Sequence, residues 1–333
     1  MDSKYGQREL LCEYDLSTDF FESENIIVND LIPLKDSYLL TTNQGSLLYK
    51  KPIKEDEVVE LKGIIEGNEF FRDNYEVIDL KRQGYHNYLF YFVKLKSNFL
   101  GNMNSEESMI SSINALKKIH LNTKLLNANL ENNVHKEKLL LNMKKDLEKI
   151  IGYKERIENL KYRVGFNKVF LDNVNEIIYK IQMVIHDLKN INLEFVDELI
   201  CLCVKDTSCN NIVQYETEGL FIDISYSYLG LKVVNLSEFI DQWIKYFDYD
   251  IERGKTIIEE YIKDINLTKS ELILMYLYFI YPKDLIEIIS SYYDSMEIFQ
   301  EEVFLSKFNK RISLKEKKIN FSMWLKEYYI DRK

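Results

Sequence analysis

A chain of 333 residues with 46% hydrophobic and 29% charged side chains has an ordinary globular composition, long enough for one large domain or two coupled lobes. The net charge of −10 argues against a protein that coats nucleic acid, which needs a basic stripe to neutralise phosphates. With only 3 Pro and 11 Gly the chain is poor in helix breakers, which predicts long helices, and 24 Tyr with 18 Phe supply area for a substantial core.

The first third reads as mixed and β-leaning. Ser37–Thr42 and Ser46–Lys50 are two short β-type runs separated by Asn43-Gln44-Gly45, which predicts a hairpin. A helical stretch follows from about Glu55 to Arg72, and Tyr88–Leu95 is an apolar, aromatic-rich run of the buried-strand kind. Ser97–Asn102 reads as a hinge. Asn104 with Glu107 marks a helix start, and Met109, Ile113, Leu116 and Ile119 then recur at helical spacing.

From there to about Asn190 the pattern is nearly all helix, with Phe170, Val174, Ile177, Ile181, Val184 and Leu188 on one stripe. The basic run Lys136–Lys145 is interleaved with Glu and Leu, as on a solvated helix face. The helical pattern breaks over 195–235. Ile212–Tyr215 and Leu220–Ile224 look like strands, with Glu216–Gly219 as their turn. Helices resume at Leu236, and Thr268-Lys269-Ser270-Glu271 is a capping box for a helix that Pro282 closes.

The opening Met1–Gly6 has no apolar segment of the secretory kind, and the longest apolar run, Leu272–Tyr281, is too short to span a bilayer. A cytoplasmic origin is therefore expected, with Cys12, Cys201, Cys203 and Cys209 as reduced thiols. The pattern C-x-C-x5-C lacks paired knuckles, and no His lies near it in sequence, so it reads as small buried hydrophobes rather than a metal site. The four His are scattered and read as packing or surface residues, while the Tyr-rich tail reads as packing material or, if exposed, as a contact surface.

The residues with chemical potential surround the hairpin. Asp206, Asn211 and Asp223 follow a D-x4-N spacing, then a strand pair, then a second Asp. Phosphoryl transfer can use such a set, with one Asp taking the acceptor's proton while an Asn and a second Asp hold Mg²⁺. Lys50 is the candidate phosphate-binding Lys, with Glu60 or Glu66 as its candidate partner. Asp and Asn are equally common as plain turn residues.

Several stretches resemble the CotS-type spore-coat proteins, which share the fold of aminoglycoside and choline phosphotransferases. They are Tyr38–Gly45 ahead of Lys50, Ala115–His120, Cys203–Val213, Phe221–Leu236 (with Asn235–Ile240) and Tyr278–Asp294, spread over about residues 10–300. The resemblance implies an α+β, protein-kinase-like two-lobed fold, with a β-rich N-terminal lobe over 1–96 and a helical C-terminal lobe over 97–333 that carries a hairpin near 212–224. It implies Asp206 as catalytic base, Lys50 at the nucleotide, Asn211 and Asp223 at a metal, and ATP with Mg²⁺ as cofactors. The family's loop runs His-Gly-Asp, four residues, Asn, whereas here Val204 and Lys205 replace the His and Gly. Asp223-Ile224-Ser225 also lacks the second acid of the family's Asp-Phe-Asp.

Loss of the His removes loop-orienting hydrogen bonds, and Lys in place of Gly predicts backbone strain. The expected function is accordingly a structural spore-coat component with impaired catalysis, made in the mother-cell cytoplasm and assembled with other coat proteins, with neither a membrane span nor a nucleic-acid partner. The alternatives are an active Mg-ATP-dependent small-molecule phosphotransferase and a nucleotide-sensing pseudokinase scaffold.

Overall fold

The computed structural model describes residues 3–14, 16, 18–34, 37–50, 62–63, 65–66, 69–83, 86–93, 99–100, 102–122, 132–192, 200–215, 218–224, 227–294 and 301–331. A small N-terminal sheet and a large helical C-terminal part make up the fold. By packing, the chain divides into two compact units. One comprises residues 1–126 and 201–229, the other 127–200 and 230–333.

The first unit is built on a five-stranded antiparallel sheet of β1 (Val28–Pro33), β2 (Ser37–Thr42), β3 (Gly45–Lys50), β4 (Tyr75–Gln83) and β5 (His86–Val93), in the order β1-β2-β3-β5-β4. The expected hairpin is β2–β3, with Thr42 opposite Gly45. Gly45 carries φ +117°, a value side-chain-bearing residues avoid, which is why this turn needs a glycine. Pro33 ends the edge strand β1, where its missing N–H costs no ladder bond.

Two short helices that the sequence pattern did not reveal, α1 (Ser3–Glu13) and α2 (Thr18–Ser23), close one side of a core. Leu11, Phe20 and Phe21 pack there with Ile26, Val28, Leu31, Leu40 and Leu47 of the strands. Gln7 joins them by donating its amide to the Ile26 carbonyl at 3.1 Å. Of the helix expected over Glu55–Arg72, residues 62–63 and 65–66 are helical and α3 spans Glu69–Asn74; 51–61 lie outside the described residues.

Helix α4 (Glu106–Leu121) buries Met109, Ile113, Leu116 and Ile119 as the spacing required. Its cap is Ser105, not Asn104, because the Ser105 hydroxyl accepts the Ser108 N–H at 3.2 Å. Phe99–Leu100, expected within a hinge, instead forms strand β6. It pairs with β8 (Ile212–Tyr215), which pairs in turn with β9 (Glu218–Phe221), while Ile200–Cys203 is strand β7.

The second unit is helical. Helices α5 (Asn132–Glu158) and α6 (Gly165–Asn190) pack together, and every residue of the Phe170–Leu188 stripe is buried. The helix expected from Leu236 starts four residues earlier, as α7 (Lys232–Ile244), directly after β10 (Tyr228–Leu231). Leu231 offers no side-chain cap there, so the sequence carried no start signal. The Thr268 capping box is present, with Thr268 N–H donating to Glu271 Oε2 at 2.8 Å and Glu271 N–H donating to Thr268 Oγ1 at 3.2 Å. It opens a helix over Lys269–Ile280.

Lys232 and Glu271 face each other 3.4 Å apart with side chains only 5% and 1% exposed. Glu271 Oε1 accepts no hydrogen bond, so the contact is a charge pairing without a directed bond. The tail tyrosines are packing residues: Tyr276, Tyr278, Tyr281, Tyr292, Tyr293, Tyr328 and Tyr329 are all buried or half-buried. Tyr292 stacks on Phe166 with ring centres 4.1 Å apart. Among the described residues, no helix is long and apolar enough to cross a membrane.

Candidate active site on the loop and hairpin

Strand β7 is apolar and wholly buried, and it delivers the chain to a turn at Asp206. A single turn of 3-10 helix over Cys209–Asn211 then leads into β8. The hairpin register sets Ile212 opposite Phe221, Val213 opposite Leu220 and Gln214 opposite Gly219. Asp223 therefore lies two residues beyond the end of β9, beside the loop that precedes β8. The strand begins earlier than its apolar pattern suggested, and Gly219 belongs to it rather than to the turn.

Packing, not turn geometry, explains that glycine. A Cβ on Gly219 would lie 2.7 Å from the Ser111 carbonyl oxygen, so β9 can rest on α4 only without a side chain there. Gln214 fixes the same contact. Its Nε2 donates to Ser111 Oγ at 2.6 Å, and its Oε1 accepts from the Ser108 hydroxyl.

Asn211 is the centre of the site. Its side chain is buried, at 4% exposure, and every polar atom is used. Nδ2 donates to the Asp206 carbonyl at 2.8 Å and to the Asp223 carbonyl at 3.0 Å. Oδ1 accepts the Asp223 N–H at 2.7 Å. These bonds bring the backbones of Asp206 and Asp223 to within about 6 Å of each other through one amide group. The chain between them spans a whole hairpin.

Three of the four residues expected at the site are thus brought together. Asp206 is exposed, and its Oδ1 accepts the Ser208 N–H at 2.9 Å, the bond that shapes the turn. Asp223 is half-buried. Lys50 ends the central strand β3, its backbone paired with Ser37 and Leu89, and its side chain lies outside the described residues. Glu66 is exposed on a helical segment, and Glu60 lies outside the described residues.

Val204 is fully buried, so the residue ahead of Lys205 contributes apolar packing and no side-chain hydrogen bond. The strain expected at Lys205 is absent. Among the described residues other than glycine, only Asn25, Asp248 and Tyr249 have positive φ. Lys205 therefore occupies backbone that any residue adopts, because the turn is made by the Asp206 side chain instead.

Tyr75 was not visible as a site residue. From the first position of β4 its buried hydroxyl donates to the Phe221 carbonyl, tying the sheet to the strand that leads to Asp223. Burial, with the nearby Asp223 carboxylate, raises its pKa well above the ordinary phenol value, so it stays a donor. Burial likewise raises the Cys209 thiol, with Asp206 adding to the effect, so Cys209 is a protonated thiol rather than a nucleophile.

For a metal the site offers hard oxygens, the Asp223 carboxylate and Asn211 Oδ1, which accepts one hydrogen bond and keeps a second lone pair. That chemistry suits Mg²⁺. The second unit offers a weaker candidate, a cleft of about 60 Å³ lined by Lys180, Arg311, Lys315 and Lys318. Each of these cations is already paired with an acid, at 3.1 to 3.5 Å for Lys180, Lys318 and Arg311 and at 2.6 Å for Lys315.

Comparison with solved structures places this architecture. An aminoglycoside phosphotransferase from Alicyclobacillus acidocaldarius subsp. acidocaldarius DSM 446 superposes with a TM-score of 0.72, over 92% of this chain and 93% of that one, at 12% identity. The fold is that of the kinase-like phosphotransferases. A spectinomycin phosphotransferase in complex with ADP and spectinomycin matches with a TM-score of 0.59, covering 88% of this chain and 94% of that one at 13% identity. A choline/ethanolamine kinase family protein from Mesorhizobium loti matches with a TM-score of 0.57, covering 88% and 91% at 11% identity. No protein-family model matches the chain, and neither does any curated protein sequence.

Proposed function

We propose that this chain is a CotS-type structural component of a bacterial spore coat, built on a phosphotransferase fold with its catalytic machinery impaired. The observation that carries the impairment is the state of the loop. The Val204 side chain has no polar atom with which to orient the loop, and Asn211 commits both amide atoms to the backbone of Asp206 and Asp223. The loop is held, but as a scaffold: Asn211 is a brace first, and the Asp206 carboxylate is engaged in its own turn. A displacement of about 1 Å at a proton-accepting group costs roughly a hundredfold in rate. The coat assignment rests on the sequence resemblance.

A second reading, an active phosphotransferase for a small-molecule hydroxyl, is favoured by the retained trio. In that reading Asn211 Oδ1 and the Asp223 carboxylate would hold Mg²⁺, which supplies charge neutralisation at the phosphates. Asp206, exposed and on a fixed turn, would accept the proton of the acceptor hydroxyl. Tyr75 and the Gln214–Ser108–Ser111 bonds keep the hairpin that carries Asp223 in place.

Two measurements test these readings. Coat extraction from spores of the source organism is expected to recover the protein in the coat fraction, and its absence there overturns the structural assignment. Thermal shift with ATP, with and without Mg²⁺, on wild type and Asp223→Ala, is expected to give little or no Mg-dependent shift at millimolar ATP. A Mg-dependent shift lost in Asp223→Ala, together with turnover abolished by Asp206→Asn, would establish the enzyme instead.

A further inference from the structure

The C-x-C pattern showed no metal partner in sequence because its partner lies on another element. Cys201 and Cys203 are two residues apart on β7, so their side chains leave the strand on the same face. His120, in the last turn of α4, is brought to that face. The imidazole nitrogen and both sulfurs lie within 4.8 Å of one another, and His120, Cys201 and Cys203 are 7%, 2% and 0% exposed. Cys209, the third cysteine of the sequence pattern, is not part of the group.

The spacing of the sulfurs is informative. They are 3.9 Å apart. Two thiolates on one ion at bonds of about 2.3 Å lie about 3.8 Å apart at a tetrahedral angle and about 4.0 Å at a trigonal one. The observed separation falls between these values. A disulfide is disfavoured, because two strand rises of about 3.3 Å put the Cα atoms about 6.6 Å apart, near the outer limit for that bond.

We infer that His120, Cys201 and Cys203 form a buried site for a single thiophilic d¹⁰ cation, Cu⁺ or Zn²⁺. Two sulfurs and an imidazole are the soft set that selects these ions over Mg²⁺ or Ca²⁺. Three protein ligands suit trigonal Cu⁺. Charge suits Zn²⁺, since two thiolates and a neutral imidazole cancel its charge in a buried setting. Binding would release the thiol protons and draw the imidazole about 1 Å toward the sulfurs. The ion would pin the end of α4 to the strand that enters the Asp206 loop, three residues beyond Cys203. The inference is independent of the function proposed above.

The test uses the full chain, reduced and metal-free, titrated separately with Cu⁺ against a chromophoric Cu⁺ chelator and with Zn²⁺ against a zinc indicator. Co²⁺ serves as the spectroscopic probe for the zinc arm. One equivalent is expected to bind, with thiolate-to-cobalt charge-transfer absorption in the Co²⁺ form. Cys201→Ser, Cys203→Ser and His120→Gln should each weaken binding at least tenfold, and Cys209→Ser should not. The arm that binds more tightly identifies the ion. If a variant fails to fold, thiol alkylation of wild type in urea sufficient to expose the buried thiols, with and without metal, replaces it, and Cys201 and Cys203 should be protected by metal while Cys12 is not. Failure of both ions to bind overturns the inference. So does binding that survives loss of both Cys201 and Cys203, or metal protection confined to Cys12 or Cys209.

Discussion

Replacing Asn211 by Ala removes three hydrogen bonds from a buried position, two to carbonyl oxygens and one from the Asp223 N–H. Each is worth about 0.5–1.5 kcal/mol net, and the loss leaves the Asp223 N–H without its partner. Asp206 is exposed, so water can take over at its carbonyl. The expected loss is about 2–4 kcal/mol of the first unit's stability. Asn211→Asp keeps the shape but turns a carboxylate oxygen toward two carbonyls. Its folded pKa must then rise above the ordinary value of about 3.9. Its deficit relative to wild type should be smallest below about pH 4 and should grow as pH rises through that raised pKa.

The assay must report on the right unit. Trp243 and Trp324 both belong to the second unit, so tryptophan fluorescence would miss the event. Urea unfolding followed by far-UV circular dichroism, with hydrogen exchange over residues 204–224, is the suitable pair, and the Asp223 amide should lose protection. If Asn211→Ala lies within about 0.5 kcal/mol of wild type and the Asp223 amide exchanges unchanged, the bracing role of Asn211 is refuted.

Gly219→Ala would place a methyl 2.7 Å from the Ser111 carbonyl oxygen. Since backbone rather than a flexible side chain must yield, a loss of about 1–3 kcal/mol is expected by urea unfolding, with faster exchange in 218–221. A neutral result would mean the hairpin can lift from α4 at little cost. In the second unit burial disfavours ionised Asp241, but Lys318, at 3.2 Å, together with Lys245 and the Tyr249 hydroxyl outweighs it and holds the carboxyl below its ordinary value. A depressed carboxylate pKa stabilises above the unfolded value of about 3.9, and that stability is lost as pH falls through the folded pKa. Lys318→Met is therefore expected to cost about 3 kcal/mol at pH 7, with a difference from wild type that shrinks below about pH 4. A deficit that does not change with pH would assign the effect to lost packing alone.

The parts of the fold legible in the sequence are those where a local rule acts alone. The Phe170–Leu188 stripe, the Thr268 box and the β2–β3 turn each follow from residues within one element. Helix α1 escaped because, among its residues with described side chains, Gln7 to Glu13, only Gln7 and Leu11 are buried, too few positions to make a period. The start of α7 at Lys232 escaped because nothing caps it. At the candidate site, the D-x4-N spacing pointed to Asp206 and Asn211 together, because both lie in one short loop joined by the Asn211 Nδ2 bond to the Asp206 carbonyl. Tyr75 and His120 could not be found this way. Their roles depend on which strand passes beside them, and the Tyr75–Phe221 bond joins residues 146 positions apart.

The discontinuous first unit also has a consequence during synthesis. Helix α4 is complete long before the hairpin that covers part of it, since Gln214 follows its partner Ser108 by 106 residues. At about 5–20 residues per second, the ribosome needs roughly 5–20 s to supply the missing strands. Throughout that interval the nascent chain carries a finished helix whose hairpin-facing side has no cover. Ser108 and Ser111, small and polar on that side, leave it less adhesive than a stripe of leucines would be. A holdase that recognises exposed apolar segments would find its main opportunity on this chain between the emergence of α4 and that of β9.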